Sequence, residues 1–263
     1  MRRAPLFLGA IAIAVCATSL SGQVAVPAAQ PGKCSLTWPG FEEKIEQQLV
    51  DGKVLKTEDV PIGVTKPQRA TVEGGSRFAW KPLQPGYNKG FMESYKAEIA
   101  AYKLDRALEM HMVPPIMERT IANKTGAAVY WIENTRGWSV AAPPQGPEPM
   151  WSMQLTRMKM FDLLIANIDR NKGNLGYDVD WHLFLIDHSR ALTDKKDLKG
   201  LAQPAYIDRM LWEKMSALTL DSLKAALGEL VSDDDLEALL ARRDKMATAI
   251  AGMVKKRGQS VFF

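Results

Sequence analysis

The sequence predicts an α+β protein of two lobes, in which a small antiparallel sheet with one main helix comes before a mostly helical lobe. The order of the elements indicates this class, because β-prone runs surround one early helix and a proline-rich linker separates them from later helical segments. The 263-residue chain is 46% hydrophobic and 24% charged, which allows a substantial core.

Short β-prone runs begin the first lobe. We predict strands at Val60–Thr65, Arg69–Val72 and Arg77–Leu83. The last two are joined by Glu73–Ser76, where two adjacent glycines are typical of a turn. Apolar and polar side chains roughly alternate in the third run, as expected for a strand with one buried face.

One helix and two further strands complete this lobe. The helix is predicted over Ser94–Met110, with a serine cap at its start and the helix-breaking pair Pro114–Pro115 beyond its end. Strands follow at Ile116–Ile121 and Ala127–Asn134, on either side of a turn at Asn123–Gly126.

A linker rich in proline, residues 141–149, marks the boundary between the lobes. We therefore predict an N-terminal extension at 30–59, a first lobe at 60–145 and a second lobe at 146–263. The elements predicted in the second lobe are helices at Trp151–Ile168, Tyr206–Ala217, Leu220–Leu230 and Asp233–Lys256 and a strand at Trp181–Ile186.

The first 29 residues have the composition of a secretory signal peptide. Arg2 and Arg3 precede the apolar run Ala4–Cys16, and small and polar residues follow it. The run is short for a membrane span, so we expect cleavage and a periplasmic or extracellular protein without a stable membrane span. An uncleaved anchor would also place the domain outside, whereas a misassigned start codon would leave it in the cytosol.

The charge of the mature chain excludes one class of partner. Residues 1–30 hold two arginines and no acids, so their removal lowers the net charge from +4 to +2. No cluster of Lys and Arg resembles a nucleic-acid binding stripe, and we expect no nucleic-acid partner.

The segment from Phe161 to Leu192, FDLLIANIDRNKGNLGYDVDWHLFLIDHSRAL, carries the clearest chemical pattern. Asp169 lies five residues before Asn174, and Asp187 follows an apolar strand thirteen residues later. Phosphoryl transfer requires oxygen ligands for Mg²⁺ or Mn²⁺ and a carboxylate that faces the attacking hydroxyl. We assign the metal to Asn174 and Asp187 and the catalytic carboxylate to Asp169.

Two upstream residues complete this pattern. Lys81 lies in a predicted strand, and Glu98 lies in the first turns of the helix that follows. A kinase needs such a lysine to bind the phosphates and such a glutamate to hold the lysine by an ion pair. Glu93 is the alternative partner for Lys81.

The pattern Asp-Arg-x-x-x-Asn at 169–174 resembles that of the atypical kinases: the phosphoinositide 3-/4-kinases, the HipA-type kinases and the secretory-pathway (Golgi casein kinase-like) kinases. Asp187 is followed by His188 and Ser189 in place of Phe and Gly, which also resembles these groups. The resemblance covers about residues 60–192 and indicates an exported bacterial member. It implies a two-lobed kinase-like fold with ATP in the cleft.

The resemblance has departures at the nucleotide site. No dense Gly-x-Gly-x-x-Gly motif is present, so either Gly63, with Lys66 reaching a phosphate, or the Gly74–Gly75 turn would cover the phosphates. Glu133 lies at the end of the last strand of the first lobe, where a kinase hinge would bind adenine. The absence of an Ala-Pro-Glu segment after Asp187 argues against ordinary protein-substrate recognition.

The sequence therefore favours an atypical kinase, a phosphotransferase that depends on ATP and on Mg²⁺ or Mn²⁺. Its acceptor would be a hydroxyl of a protein, a sugar or a lipid headgroup. Because a periplasm holds little ATP, the alternative is a catalytically inactive kinase-like module that binds or scaffolds a component of the cell envelope.

Overall fold

The computed structural model describes residues 38–60, 67–138 and 143–263. The helices are α1 (Glu42–Asp51), α2 (Tyr95–Ala107), α3 (Met150–Ile165), α4 (Arg209–Ser216), α5 (Leu220–Leu227) and α6 (Asp233–Arg257). The strands are β1 (Val54–Asp59), β2 (Gln68–Val72), β3 (Arg77–Lys81), β4 (Gly86–Asn88), β5 (Phe91–Glu93), β6 (Ile116–Ile121), β7 (Lys124–Tyr130), β8 (Arg136–Gly137), β9 (Leu175–Tyr177) and β10 (Leu183–Leu185). Within these ranges, no helix has both the length and the apolar character that crossing a bilayer requires.

Several expectations fall outside the described residues. They are the signal peptide at 1–29, all but the first residue of the predicted strand Val60–Thr65, and the candidate phosphate-binding residues Gly63 and Lys66.

A five-stranded antiparallel sheet forms the first lobe, in the order β1-β2-β3-β7-β6. Its edge strand β1 lies within residues 30–59, the segment expected to be an extension, and pairs with β2 along its length. The sheet thus begins before residue 60. The exact division into lobes stays a prediction.

Tight hairpins explain the differences from the predicted strand boundaries. Ala122 and Asn123 form the whole turn between β6 and β7, with φ of 50° and 62°. Both residues of a type I′ turn have positive φ, and this turn suits the twist of paired strands. Strand β7 therefore starts at Lys124, earlier than expected. The hairpin β4–β5, which was not predicted, turns through Lys89 and Gly90 with φ of 50° and 86°.

Helix α2 packs against the sheet and carries residues of the site. The Ser94 hydroxyl accepts a hydrogen bond from the amide of Lys96 at 3.0 Å, which confirms the predicted cap. The helix ends at Ala107, before the predicted Met110, and the prolines follow.

The second lobe is mostly helical, as predicted. Helix α3 ends at Ile165, not Ile168, because its C-cap Ala166 adopts the left-handed conformation with φ of 52°. Strand β10 begins at Leu183, since Trp181 with φ of 68° belongs to the preceding turn. The early end of α3 frees the residues up to Asp169 for a loop.

The long helix α6 is fastened to the rest of this lobe by a buried arginine. Arg242 is 0% exposed and donates to the carbonyls of Leu164 at 2.9 Å, Thr193 at 3.0 Å and Lys195. Burial lowers the pKa of Arg242 to about 10, but the group stays charged near neutral pH. The segment after Asp187 is thereby held against α3 and α6.

Candidate active site

Lys81 occupies the end of β3, where a glycine on the neighbouring strand allows close approach. A Cβ atom on Gly126 would lie 2.5 Å from the Lys81 carbonyl oxygen and 2.5 Å from the Pro82 Cα. Real side chains do not approach backbone this closely, so the spacing of β3 and β7 at Lys81 requires glycine.

The Lys81 ammonium joins two carboxylates from different parts of the chain. Its Nζ lies 2.6 Å from Glu98 Oε1 and 3.1 Å from Asp187 Oδ1. Burial by itself lowers the pKa of Lys81, but the charges of the two carboxylates outweigh burial and the net shift is upward. Lys81 therefore stays charged and links β3, α2 and the strand end at Asp187.

Glu98, rather than its alternative Glu93, is the partner of Lys81. The Glu98 side chain is 1% exposed, and its second oxygen, Oε2, accepts the backbone amide of His188 at 3.0 Å. Burial raises the pKa of Glu98, with Lys81 opposing that shift. Glu93 instead binds Arg190, with 2.6 Å between Oε1 and the guanidinium.

Asp187 follows β10 in a backbone conformation that few residues adopt. Its φ is 62°, in the left-handed region that aspartate tolerates better than most residues. Burial tends to raise the pKa of its carboxyl, but Lys81 outweighs burial and the net shift is downward. The side chain is 37% exposed, so an ionised carboxylate is partly open to solvent.

The loop after α3 brings Asp169 and Asn174 together. The Asn174 amide nitrogen Nδ2 donates to the Asp169 carbonyl at 2.8 Å, and Asn171 Nδ2 donates to the Asp169 carboxylate at 3.2 Å. Asn174 is buried, whereas the Asp169 side chain is 33% exposed. Among the described residues, no hydrogen bond is made to Asn174 Oδ1, which leaves this oxygen available as a ligand.

The register of a small sheet places Asn174 beside Asp187. Strands β9 and β10 are antiparallel, with Leu175 opposite Leu185. The amide of Ile186 donates to the Asn174 carbonyl at 3.2 Å. The two candidate metal ligands therefore come from adjacent strand ends.

Arg170 holds this loop to the rest of the site, a role that the sequence analysis did not assign. Its guanidinium is bound by Asp162 at 3.0 Å and donates to the carbonyls of Asn174 at 2.7 Å and Ile186 at 3.0 Å. It also lies 2.8 Å from His188 Nε2. The Asp-Arg motif in the sequence includes this arginine, but only the three-dimensional structure identifies its partners.

His188 is a neutral, fully buried residue. Burial, together with the charges of Arg170 and Lys81, lowers the pKa of His188 well below its usual value. Because arginine only donates, Nε2 must accept, and the proton lies on Nδ1. The fully buried position gives His188 a structural role.

Arg190 is a second residue that the sequence analysis missed. Its guanidinium lies 3.3 Å from the carboxylate of Asp169 and also binds Glu93. It covers the ring of Phe91 at 4.4 Å from the ring centre, a distance typical of a cation–π contact. Arg190 therefore connects the β4–β5 hairpin to the loop that carries Asp169 and Asn174.

The strand pairing separates the two candidate glycine turns. Gln68 pairs with Trp80, so the connection from β1 to β2 enters and leaves the sheet at the Lys81 end. The Gly74–Gly75 turn joins the opposite ends of β2 and β3, four residues or about 13 Å from Lys81 along the strand. It cannot cover a phosphate bound by Lys81.

Glu133 lies away from Lys81, beside the start of β3. Its carboxylate binds Arg77, with 2.7 Å between Oε1 and Nε, and is 47% exposed. The side chain is therefore already engaged in a surface ion pair, and any contact with adenine would come from the backbone.

A second group of possible metal ligands lies on the β9–β10 turn, where Asp178, Asp180 and His182 offer ligand atoms within 4.8 Å of one another. Asp178 Oδ1 already accepts the amides of Asp180 and His182, both at 2.9 Å. The Asp178 carboxylate also contacts the His182 ring at 2.9 Å. These bonds shape the turn and account for the clustering.

Comparison with known proteins identifies the fold. No sequence profile of a protein family matches the chain, and no curated protein resembles it in sequence. The structure of hydra Fam20 with sugar is similar over 84% of this chain and 92% of that protein, with a TM-score of 0.68 and 16% identity.

Two kinases are also similar. The Golgi casein kinase with Mn and ADP bound matches 84% of this chain and 78% of its own, with a TM-score of 0.64 and 13% identity. The Helicobacter pylori proinflammatory kinase CtkA matches 80% of this chain and 97% of its own, with a TM-score of 0.51 and 11% identity. At these identities the similarity defines the fold, and the chain has the two-lobed fold of the atypical protein kinases that its motifs predicted.

Proposed function

We propose that the protein is an atypical kinase, which transfers the terminal phosphoryl group of ATP to a hydroxyl acceptor with the help of Mg²⁺ or Mn²⁺. One observation carries this proposal: Lys81 lies within hydrogen-bond distance of both Glu98 and Asp187. These three residues are far apart in sequence, and phosphoryl transfer in a kinase requires a lysine, a glutamate and an aspartate to lie together in this way.

Lys81 would bind the phosphates of the nucleotide. Its side chain is 12% exposed, and its ammonium is charged and fixed in place by Glu98. A positioned cation of this kind stabilises the charge that spreads over the phosphoryl oxygens during transfer. Glu98 acts through Lys81 and is a positioning residue.

Asn174 and Asp187 fit a hard divalent cation. Both offer oxygen donors, Asn174 Oδ1 has no hydrogen-bond partner in the described residues, and the Asp187 carboxylate is ionised and partly exposed. When bound, the metal would neutralise charge on the phosphates. The Golgi casein kinase in the comparison binds Mn and ADP, which supports the binding of a divalent metal and a nucleotide here.

Asp169 would act on the acceptor. Its carboxylate is partly exposed on the loop that also carries Asn174. The acceptor oxygen forms a bond to the terminal phosphorus as the bond from that phosphorus to the ADP oxygen breaks. The acceptor proton passes to Asp169, which also orients the hydroxyl.

The other parts of the nucleotide site are proposed from the sequence. We assign the phosphate cover to residues 61–66 with Gly63 and Lys66, because Val60 and Pro67 flank them at the Lys81 end of the sheet, joined by a hydrogen bond of 3.1 Å. The backbone near Glu133 would contact adenine.

Thermal unfolding with and without nucleotide tests this function. Ligand at about a hundred times its dissociation constant adds roughly 2.7 kcal/mol of stability, which raises Tm by roughly 5 to 10 °C in a domain of this size. We expect this shift with ATP plus Mg²⁺ or Mn²⁺, and we expect its loss in Asp187→Ala. Glu213→Gln, which changes an exposed carboxylate on α4, is the matched control.

Turnover is then measured with serine, sugar and headgroup acceptors. A nucleotide shift without any transfer would favour the non-catalytic envelope module. The absence of a shift with any nucleotide or metal would overturn the nucleotide site itself.

Export is a separate proposal that rests on residues 1–29. A fusion of residues 1–35 to a reporter that is active only outside the cytoplasm tests it, with Arg2→Glu/Arg3→Glu as the matched control. Reporter activity supports export, and its absence contradicts export.

A further inference from the structure

A cavity of about 930 Å³ opens beside the candidate active site. Its wall includes Ile168, which directly precedes Asp169, and Ser189, two residues after Asp187. The β4–β5 hairpin, the start of α2 and the first turn of α6 form its other sides. A molecule in this cavity would therefore lie next to the candidate base.

One side of the cavity presents large apolar side chains to solvent. Tyr87 is 84% exposed, Phe91 43%, Met92 40% and Ile168 48%. Three of the four lie on the short β4–β5 hairpin, and the fourth lies on the catalytic loop. Adjacent exposed apolar side chains of this size are typical of an interaction surface.

Another part of the cavity lining is acidic. The cavity is lined by a single lysine, Lys96, and by five acidic residues. The acidic residues are Asp194, Glu229, Asp233, Asp234 and Asp235. The last three lie in the first turn of α6, where the free amides of the helix attract carboxylates. Asp233 also pairs with Lys224 at 2.7 Å. Helix stabilisation therefore accounts for these three.

Helix stabilisation does not account for Asp194 and Glu229. Asp194 belongs to the segment after Asp187, and Glu229 belongs to the turn after α5, yet both are exposed at the same cavity. Across residues 38–60, 67–138 and 143–263, neither side chain has a hydrogen bond or an ion pair, although the charge of Asp194 acts on the buried guanidinium of Arg242. Carboxylates that share one cavity repel each other, and a bound cationic group removes that repulsion.

We propose that this cavity is the docking groove for the acceptor, and that its occupant is a basic polypeptide segment. Its Lys or Arg side chains face the acidic wall, an apolar side chain packs on the β4–β5 hairpin, and a serine or threonine hydroxyl reaches Asp169. The volume lies at the upper end of the range for ligand pockets, which suits an extended peptide better than a single small group. The inference rests on the phosphotransferase function proposed above.

Peptide binding tests the groove without nucleotide. The probe is a fluorescent serine peptide with flanking lysines and one leucine, titrated against the full-length protein by anisotropy at low salt. In Asp194→Asn/Glu229→Gln/Asp234→Asn, we expect the affinity to fall about tenfold or more. The control Glu43→Gln/Glu213→Gln/Glu237→Gln removes the same charge at exposed positions outside the groove, and we expect unchanged binding.

A second arm tests the apolar side. Tyr87→Ser/Met92→Ser is expected to weaken the same peptide several-fold and to leave the nucleotide-dependent rise in Tm unchanged. Removal of the leucine from the peptide should then have little further effect in this variant.

Three results would overturn the groove. They are equal affinity for a peptide with glutamates in place of the lysines, equal loss of affinity in the control variant, and self-association of the chain through this face that the groove variant abolishes. The two proposals fail separately. Peptide binding that is lost in the groove variant supports the groove even where ATP gives no shift in Tm, and the phosphotransferase function is then overturned alone.

Discussion

The guanidinium of Arg190 lies 3.3 Å from the carboxylate of Asp169, and the same guanidinium covers the ring of Phe91. Phe91 lines the proposed acceptor groove, and Asp169 is the proposed base. Arg190 therefore links the surface that would bind the acceptor to the group that would receive its proton. Because Glu93 also binds Arg190 and is buried, this link is held in place from the first lobe.

This link predicts that Arg190 positions Asp169. In Arg190→Gln we expect kcat to fall about 10- to 100-fold, since a small displacement of a catalytic group has effects of that size. The nucleotide-dependent rise in Tm should remain, because Arg190 lies outside the Lys81 contacts. The measurement is steady-state transfer to an acceptor, with kcat and KM determined separately.

Arg190→Lys is the matched variant. It keeps the charge but loses the fork of donors that reaches Asp169 and Glu93 together, so we expect a kcat between wild type and Arg190→Gln. A loss of Tm with unchanged kcat in both variants would show that Arg190 is only a structural residue.

The sequence was sufficient to single out the candidate residues whose signal is local, and their roles stay proposals. Asp169, Asn174 and Asp187 have a characteristic spacing, and Lys81 lies in a strand of alternating pattern. The sequence favoured Glu98 over its alternative Glu93, although both acids lie near the start of α2. Packing decides between them: the α2 face that turns towards β3 carries Glu98.

Arg190, which was not predicted, and the backbone of His188 have partners that are far away in the chain. Arg190 binds Glu93, 97 positions earlier, and the His188 amide binds Glu98, 90 positions earlier. Such pairings depend on how the two lobes fold together and leave no periodic pattern. The unpredicted β4–β5 hairpin is short, and its strands of three residues are below the length at which alternation becomes visible.

Glu98 depends on Lys81 to balance its charge, and this dependence predicts a loss of stability. Lys81→Met leaves a carboxylate that is 1% exposed without the ammonium 2.6 Å away. Breaking one side of a buried ion pair costs about 3 to 5 kcal/mol, so we expect the free energy of unfolding in urea to fall by about that amount. The double variant Lys81→Met/Glu98→Gln removes both charges and should recover much of the loss.

The pH dependence identifies Glu98 as the cause. Burial holds the folded pKa of Glu98 above its unfolded value, so its contribution to stability is fully present below the unfolded pKa and is lost as pH rises through the folded pKa. Without Lys81 this loss of stability with rising pH becomes larger. The stability gap between Lys81→Met and wild type should therefore be larger at about pH 8 than at about pH 5. An equal gap at both pH values would contradict this explanation.

Asp105 on α2 predicts a second dependence of the free energy of unfolding on pH. Burial raises the pKa of Asp105 to about 7, although its carboxylate accepts the amides of Met112 at 2.9 Å and Val113 at 3.1 Å. Its contribution to stability is fully present below the unfolded pKa of about 4 and is lost as pH rises through about 7. At 1.36 kcal/mol per pKa unit, the loss is about 4 kcal/mol at most.

Asp105→Asn tests this contribution. Both amides donate to Oδ1, so asparagine keeps the acceptor and cannot ionise. We expect the free energy of unfolding of the variant, relative to wild type, to rise between about pH 4 and about pH 8. The difference between the two proteins also cancels the opposite dependence from buried His188. A difference that does not change with pH would contradict the prediction.

Gly126 predicts an effect on nucleotide binding through the backbone of Lys81. In Gly126→Ala the new methyl group would lie 2.5 Å from the Lys81 carbonyl, so β3 must move away from β7 at the residue that carries the ammonium. We expect a loss of about 1 to 3 kcal/mol in stability, as for other overpacked sites, and an additional weakening of ATP binding by about tenfold.

The control is Gly146→Ala, where a Cβ would lie 2.9 Å from the Trp151 ring, since it strains the second lobe and leaves β3 in place. Isothermal titration of ATP with Mn²⁺ into both variants separates the two effects, and equal ATP affinity in both would show that the position of β3 does not control Lys81.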